Sequence, residues 1–221
     1  MLTVHHLNNS RSQRALWLLE ELGVPYEIVR YQRQPDMRAP ADLRAIHPLG
    51  KSPVITDSGN TIAESGAIVE YLIETYGHGR LIPPPKTQAR LRYTYWLHYA
   101  EGSAMPPLLL KLLFTVMPKR APALLRPLVR KVSSQVLSAL VNPQLKQHMA
   151  FWEAELTKSP WFAGDEFTAA DIQMSFPLEA AAARAGLEQG HPKAMAFLDR
   201  IHARPAYQRA LEKGGPYTVG R

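Results

Sequence analysis

Residues 51–66, KSPVITDSGNTIAESG, place a serine beside a proline and, about a dozen residues on, a glutamate beside a second serine. Pro53 opens a β-branched run, Val54-Ile55-Thr56; the turn formers Asp57-Ser58-Gly59-Asn60 follow, and Thr61 to Ala63 can pair back, so the segment reads as a β-hairpin. Proline is tolerated at the first residue of a strand. A cis Ser52–Pro53 bond there would turn the N–H and C=O of Ser52 outward, where an extended peptide can pair with them. Glu64-Ser65-Gly66 then precedes the amphipathic stretch Ala67 to Tyr76. Ser65 is expected at the helix N-cap, and the unpaired N–H groups beyond it favour a carboxylate. A buried Glu64 beside it would attract an ammonium. Each feature taken singly also occurs in α/β proteins without a ligand. Together, Glu64 and Ser65 fit one free amino-acid head and Ser52 fits a peptide backbone, the requirements of a γ-glutamyl tripeptide.

The ordered combination, HPLGKSPVI and then ES, resembles the glutathione site of the cytosolic glutathione transferases. The likeness extends over nearly the whole chain, through FTAADI to the terminal ARPAYQRAL. It implies reduced glutathione as co-substrate and conjugation of its thiolate to small hydrophobic electrophiles, a detoxification chemistry that uses no metal. It also implies a homodimer in the cytoplasm. Carried over residue by residue, Lys51 lies near the glycine carboxylate, Ser52 beside Pro53 takes the cysteinyl backbone, and Glu64 with Ser65 takes the γ-glutamyl head. Arg38, in a loop with Arg33 and near Arg44, is a further candidate for the glycine end. Two other readings share this site: glutathione-dependent reduction of hydroperoxides, and a noncatalytic interaction module that keeps a glutathione pocket.

The chain has no cysteine. That excludes disulfides, thiolate metal sites and any mechanism using a protein thiol, so a sulfur nucleophile must come from the ligand. A glutathione thiol with a cysteine-like pKa of about 8.5 is only a few per cent ionised at neutral pH, and lowering it by about two units takes roughly 2.7 kcal/mol. One or two well-aimed donors suffice. The donor should emerge where the first strand runs into the first helix, and HHLNNSRSQR stands there. Ser10 and Arg14, in S-x-x-x-R spacing, resemble the serine-type transferases, which makes Ser10 the expected thiol donor and Asn9 the second candidate. Arg11 would add positive field. The competing reading has Ser10 or Ser12 simply capping the helix. His5 and His6 fall where tyrosine-type relatives carry their tyrosine, but a histidine in a sheet is more often structural than catalytic.

These residues need a frame. Leu2 to Leu7 reads as a strand, Ser12 to Leu22 as a helix closed by Gly23, Tyr26 to Arg30 as a second strand and Ala41 to Ile46 as a short helix, ahead of the hairpin and its helix. This βαβ–ββα order predicts α/β plus all-α architecture: a thioredoxin-like domain over 1–80, a proline-rich linker over 81–87 and an all-helical domain over 88–221. In the helical part Pro106 and Pro107 are expected to interrupt the first helix. Further helices are expected over 123–141, 143–157, 168–185, 192–203 and 205–213. Thr168 and Asp171 have the form of a capping box with Phe167 and Ile172 as its staple, a folding device. Tyr95, Trp96, Tyr99, Met105, Leu109, Leu112 and Phe114 are candidates for the electrophile pocket, although aromatic residues at helical spacing are usually core.

At 221 residues the chain can bury an adequate core, and it contains no apolar run long enough to span a membrane and no secretory leader pattern. Residues 102–152 contain no Asp or Glu but carry Lys111, Lys119, Arg120, Arg126, Arg130, Lys131 and Lys146, which equals the whole net charge of +7. Charge alone is met by a solvated helical face; peripheral contact with a membrane surface is the alternative. With no nucleic-acid motif or stacking array beside it, nucleic acid is not an expected partner.

Overall fold

The computed structural model describes residues 1–34, 38–215 and 217. Strand β1 (Thr3–Leu7) lies inside the sheet, parallel to β2 (Glu27–Tyr31) and antiparallel to β3 (Val54–Asp57), which pairs with β4 (Asn60–Ala63) in the order β2-β1-β3-β4. Position His5 faces Val29 on one side and Val54 on the other. The hairpin turn is Ser58-Gly59, both at positive φ (50° and 85°), as a two-residue loop between right-twisted strands requires.

Helix α1 (Ser12–Leu22) ends where Gly23 adopts φ 68° and returns its N–H to the Leu19 carbonyl. Helix α2 (Ala41–Ile46) and helix α3 (Ser65–Tyr76) complete the first half. This is the expected thioredoxin-like arrangement, with both outer strand bounds shifted by a residue.

Residues 77–87 hold neither helix nor strand. Helix α4 (Gln88–Tyr99) then starts on Thr87, whose hydroxyl accepts from the Arg90 N–H. The expected break at Pro106 and Pro107 is absent. Instead α4 passes through a π turn, Ala100–Ala104, into α5 (Met105–Arg120), whose first turn holds both prolines. A proline lacks an N–H and its ring collides with the carbonyl four residues back; the wider turn makes room for both defects without ending the helix. The device recurs after α6 (Arg126–Val136), where a π turn over Leu137–Val141 precedes Pro143 in the first turn of α7 (Asn142–Lys158). The helix expected over 123–141 therefore starts later, at Arg126, and runs on without a break into the one expected over 143–157.

Helices α8 (Ala169–Arg184), α9 (Pro192–His202) and α10 (Pro205–Gly214) finish the chain. The capping box forms at α8. The Asp171 carboxylate accepts the N–H of Thr168 and also that of Phe162, each at 2.8 Å. Trp17 and Leu19 of α1, Leu72 of α3, Ile172 of α8 and Phe197 of α9 belong to a single core that runs through both halves. Helix α1 packs on α10 and α8, so the sheet is docked on the helices through it. Among the described residues no helix is long and apolar enough to cross a membrane.

Candidate functional site

The loop before β3 and the start of α3 face one another across a cavity of about 310 Å³, and its wall includes Lys51, Ser52, Pro53, Glu64 and Ser65. The Ser52–Pro53 bond is cis. Ser52 is pinned from behind: its hydroxyl donates to the His5 carbonyl at 3.2 Å and accepts from the Leu7 N–H at 3.4 Å. The two halves of the sequence pattern are thus brought together, with two corrections of detail. Glu64 is exposed, not buried, because it sits at φ 72° in the turn that reverses the chain from β4 into α3. Ser65 is the first residue of α3 and not its N-cap, the position Glu64 occupies. The buried Ser65 hydroxyl accepts instead from the Arg14 guanidinium at 3.1 Å.

Arg14 is also buried, and its second guanidinium nitrogen donates to the Gln173 carbonyl at 2.6 Å. Its charge is met by Glu101, a residue the sequence reading passed over. Glu101 enters the same cavity from the π turn of the helical half and is bound by Arg11 as well, Nε to Oε1 at 2.9 Å. Burial would push this carboxyl up, but Arg14 and then Arg11 outweigh it and hold the pKa below the usual range. The sequence signal was faint: Glu101 is the last acid before the acid-free stretch, on a turn whose geometry the spacing does not encode. His47 and Leu49 in the cavity wall were also passed over, whereas Leu109, from α5, was expected.

A second cleft, about 400 Å³, adjoins the first through Arg11, Lys51 and Ser52. It gathers Arg33, Arg38 and Arg44 and places Arg38 in the same cleft as Lys51. Burial and the neighbouring Arg11 push the Arg33 guanidinium below its ordinary value. Gly50 closes this corner at φ 55°; a Cβ there would come within 2.6 Å of the Arg44 side chain.

Ser10 is buried and lines neither cavity. It lies directly behind Ser52, Oγ to Oγ 3.3 Å, and belongs to a row of polar groups that continues through Ser12 Oγ at 2.7 Å to His6 Nδ1 at 2.8 Å. It also accepts the Ser12 N–H at 3.2 Å, which ties it to the helix start, although Arg11, and neither serine, is the N-cap. Burial, followed by the charge of Arg30, lowers the His6 pKa to about 4 and keeps the ring neutral. Asn9 holds the preceding turn at φ 49°.

The aromatic candidates do not line the cavity. Trp96 and Tyr99 are core residues: Trp96 stacks on Phe151, and the Tyr99 hydroxyl binds His148 and accepts from Trp152 Nε1. Tyr95 is exposed on the outside of α4, and Leu112 is half-buried on α5. Helical spacing placed them on one element without saying which face meets the sheet. Among the described residues no cluster of three or more His, Cys, Asp or Glu could hold a metal ion.

A mixed four-stranded sheet with a cis-proline loop, docked on an all-helical half, and a cavity able to receive a small peptide together define a thioredoxin-like binding protein with a helical partner domain. Comparison with known proteins makes the class specific. Residues 1–74 match the family model "Glutathione S-transferase, N-terminal domain" and residues 116–205 match "Glutathione S-transferase, C-terminal domain". Glutathione S-transferase 3 of Schizosaccharomyces pombe is 36% identical over 96% of this chain and 88% of its own length. Glutathione S-transferase 1 of Saccharomyces cerevisiae is 33% identical over 96% and 95% respectively. A crystal structure of a glutathione S-transferase from Actinobacillus pleuropneumoniae is 32% identical, covers 100% of this chain and 96% of that one, and superposes with a TM-score of 0.80. The chain belongs to the glutathione transferase family.

Proposed function

We propose that the chain holds reduced glutathione in the cavity between the Ser52–Pro53 loop and α3 and adds its sulfur to a small hydrophobic electrophile. The observation that carries this reading is the single cavity that holds Ser52, Pro53, Glu64 and Ser65, with the cationic cleft opening from its end. The glycine carboxylate points to Lys51 and Arg38, the cysteinyl backbone pairs with Ser52, and the γ-glutamyl head meets Glu64 and Ser65. The sulfur then falls at the Ser52 corner, with the Ser10 hydroxyl behind it and Arg11 beside it. Ser10 trades its long contact with Ser52 for a charge-assisted bond to the thiolate, while Arg11 contributes positive field.

The reaction needs the thiol proton to pass to solvent, a sulfur–carbon bond to form, and the electrophile's leaving group, where it has one, to depart with its electron pair. Holding both partners in contact supplies the rest, and no step calls for a metal or redox cofactor. Leu109, with Leu113 one turn further along α5, offers an apolar wall for the electrophile. The same reading places the enzyme in the cytoplasm as a homodimer; Leu91 and Tyr95, exposed one turn apart on α4, support packing against a second copy.

The test is the ultraviolet thiolate absorbance of bound glutathione against pH, with titration calorimetry and a conjugation assay in parallel. Ser10→Ala and Arg11→Ala should each raise the bound thiol's pKa by about one unit, roughly 1.4 kcal/mol. Affinity should hold in Ser10→Ala and the slow conjugation should recover in part as pH rises. Asn9→Ala should leave the titration in place. An unmoved titration in Ser10→Ala would reduce that serine to a helix-start residue.

A further inference from the structure

The last turns of α5, the connection over 121–125 and helix α6 form a hairpin in which α6 packs chiefly on α5 and runs on into the π turn that follows it. Helix α6 is amphipathic: its N-cap Leu125 and Leu128, Val129, Val132 and Val136 fall at helical spacing. Only Val129 and Val136 of that stripe are half-buried; Leu125, Leu128 and Val132 are 49%, 62% and 51% exposed. Leu124, at the tip, is 91% exposed, and Met117 on α5 is 42% exposed. Leucines left so open have no role in the chain's own core.

The same tip carries Lys119, Arg120, Arg126, Arg130 and Lys131, all exposed, and no acid. None of these five takes part in an ion pair among the described residues. A merely solvated face needs the cations but not the leucines, and the core of an ordinary protein interface is depleted of charge, whereas here five cations stand among the leucines. Self-association through the tips would set five cations against five. Long basic side chains around exposed aliphatic ones are the chemistry of a peripheral lipid contact, in which leucines enter the acyl boundary and the cations reach headgroup phosphates.

We propose that the α5–α6 tip is a docking surface for an anionic lipid bilayer, separate from the glutathione cavity. The experiment is sedimentation of the full chain with vesicles of phosphatidylcholine alone and of phosphatidylcholine mixed with phosphatidylglycerol. The mixed vesicles should carry the protein down at low salt, the neutral ones should not, and added salt should release it. Arg126→Gln/Arg130→Gln/Lys131→Gln should lower partitioning about a hundredfold, at roughly fivefold per cation. Leu124→Ser/Leu125→Ser/Leu128→Ser should lower it by about tenfold or more. Both variants should melt and conjugate glutathione as the wild type does.

Several outcomes overturn the proposal. They are failure to bind mixed vesicles, equal binding to neutral ones, or binding unchanged in both variants. Preference for duplex DNA over vesicles would assign the charge to nucleic acid. Sedimentation velocity showing that the leucine variant dissociates a wild-type oligomer would assign the leucines to a contact between copies.

Discussion

Burial and Arg30 hold the His6 imidazole neutral with a pKa of about 4, against 6.5 for the free side chain. The unfolded state therefore binds the extra proton between those values, and stability that is full above pH 6.5 is lost as pH falls towards 4. The loss amounts to about 3 kcal/mol. Asp171 works in the opposite sense over the overlapping window, because burial raises its carboxyl to about 6 despite three donors. Comparing wild type with His6→Gln separates the two: the wild-type melting temperature should fall more steeply between pH 6.5 and 4, and parallel curves would mean that His6 binds its proton equally in the folded and unfolded states. Glu64 is a second residue whose exposure sets the magnitude. Facing water, its pairing with the γ-glutamyl ammonium should contribute only about 1 kcal/mol, so Glu64→Ala should weaken glutathione binding about fivefold at low salt and less at high salt. Calorimetry at two salt concentrations decides it; a loss near a hundredfold would mean that the carboxylate is enclosed when the ligand binds.

At the scale of elements, α1, α2 and the hairpin could be read from the chain because their ends are marked locally, by Gly23, by the Pro40–Ala41 start and by Ser58-Gly59. The prolines of α5 and α7 misled for an equally local reason: a missing N–H predicts a break unless neighbouring residues widen the helix, and that depends on what the helix packs against. The α8 start shows a motif whose form was legible and whose weight was not. Its carboxylate also takes the N–H of Phe162, from a segment nine residues earlier. Asp171→Ala should therefore cost about 2–4 kcal/mol, more than the roughly 1 kcal/mol of an ordinary cap, since two buried N–H groups lose their acceptor. Urea unfolding measures the cost, while glutathione affinity per folded molecule should stay at the wild-type value. A selective loss of affinity without a change in stability would give the box a role in the site.

Across the whole molecule the two halves are joined at Arg14, which reaches from α1 to Ser65 of α3, the Gln173 carbonyl of α8 and Glu101. Arg14→Met removes the buried donor to Ser65, the Gln173 carbonyl and Glu101, while the one-third exposed Glu101 keeps Arg11, and should cost about 1–3 kcal/mol. Because Ser65 and Glu101 both line the cavity, glutathione affinity should fall in the same variant. Denaturant unfolding and calorimetry together test this, and lost stability with unchanged affinity would confine Arg14 to folding.

The family resemblance in the sequence supplied Lys51 and the serine behind the cavity, while the residues themselves determined the order of strands and helices, the proline-led hairpin and the Glu64–Ser65 helix start. The latter are set by near neighbours: turn residues, helix starts and side-chain periodicity act within a few positions along the chain. Tertiary structure alone decided that Glu101 closes the cavity, that Trp96 and Tyr99 turn into the core while Leu109 lines the cavity, and that the leucines of the acid-free hairpin stand in solvent. Each of these depends on which face of a helix meets a surface distant in sequence, and periodicity gives a helix its faces without saying what lies opposite them.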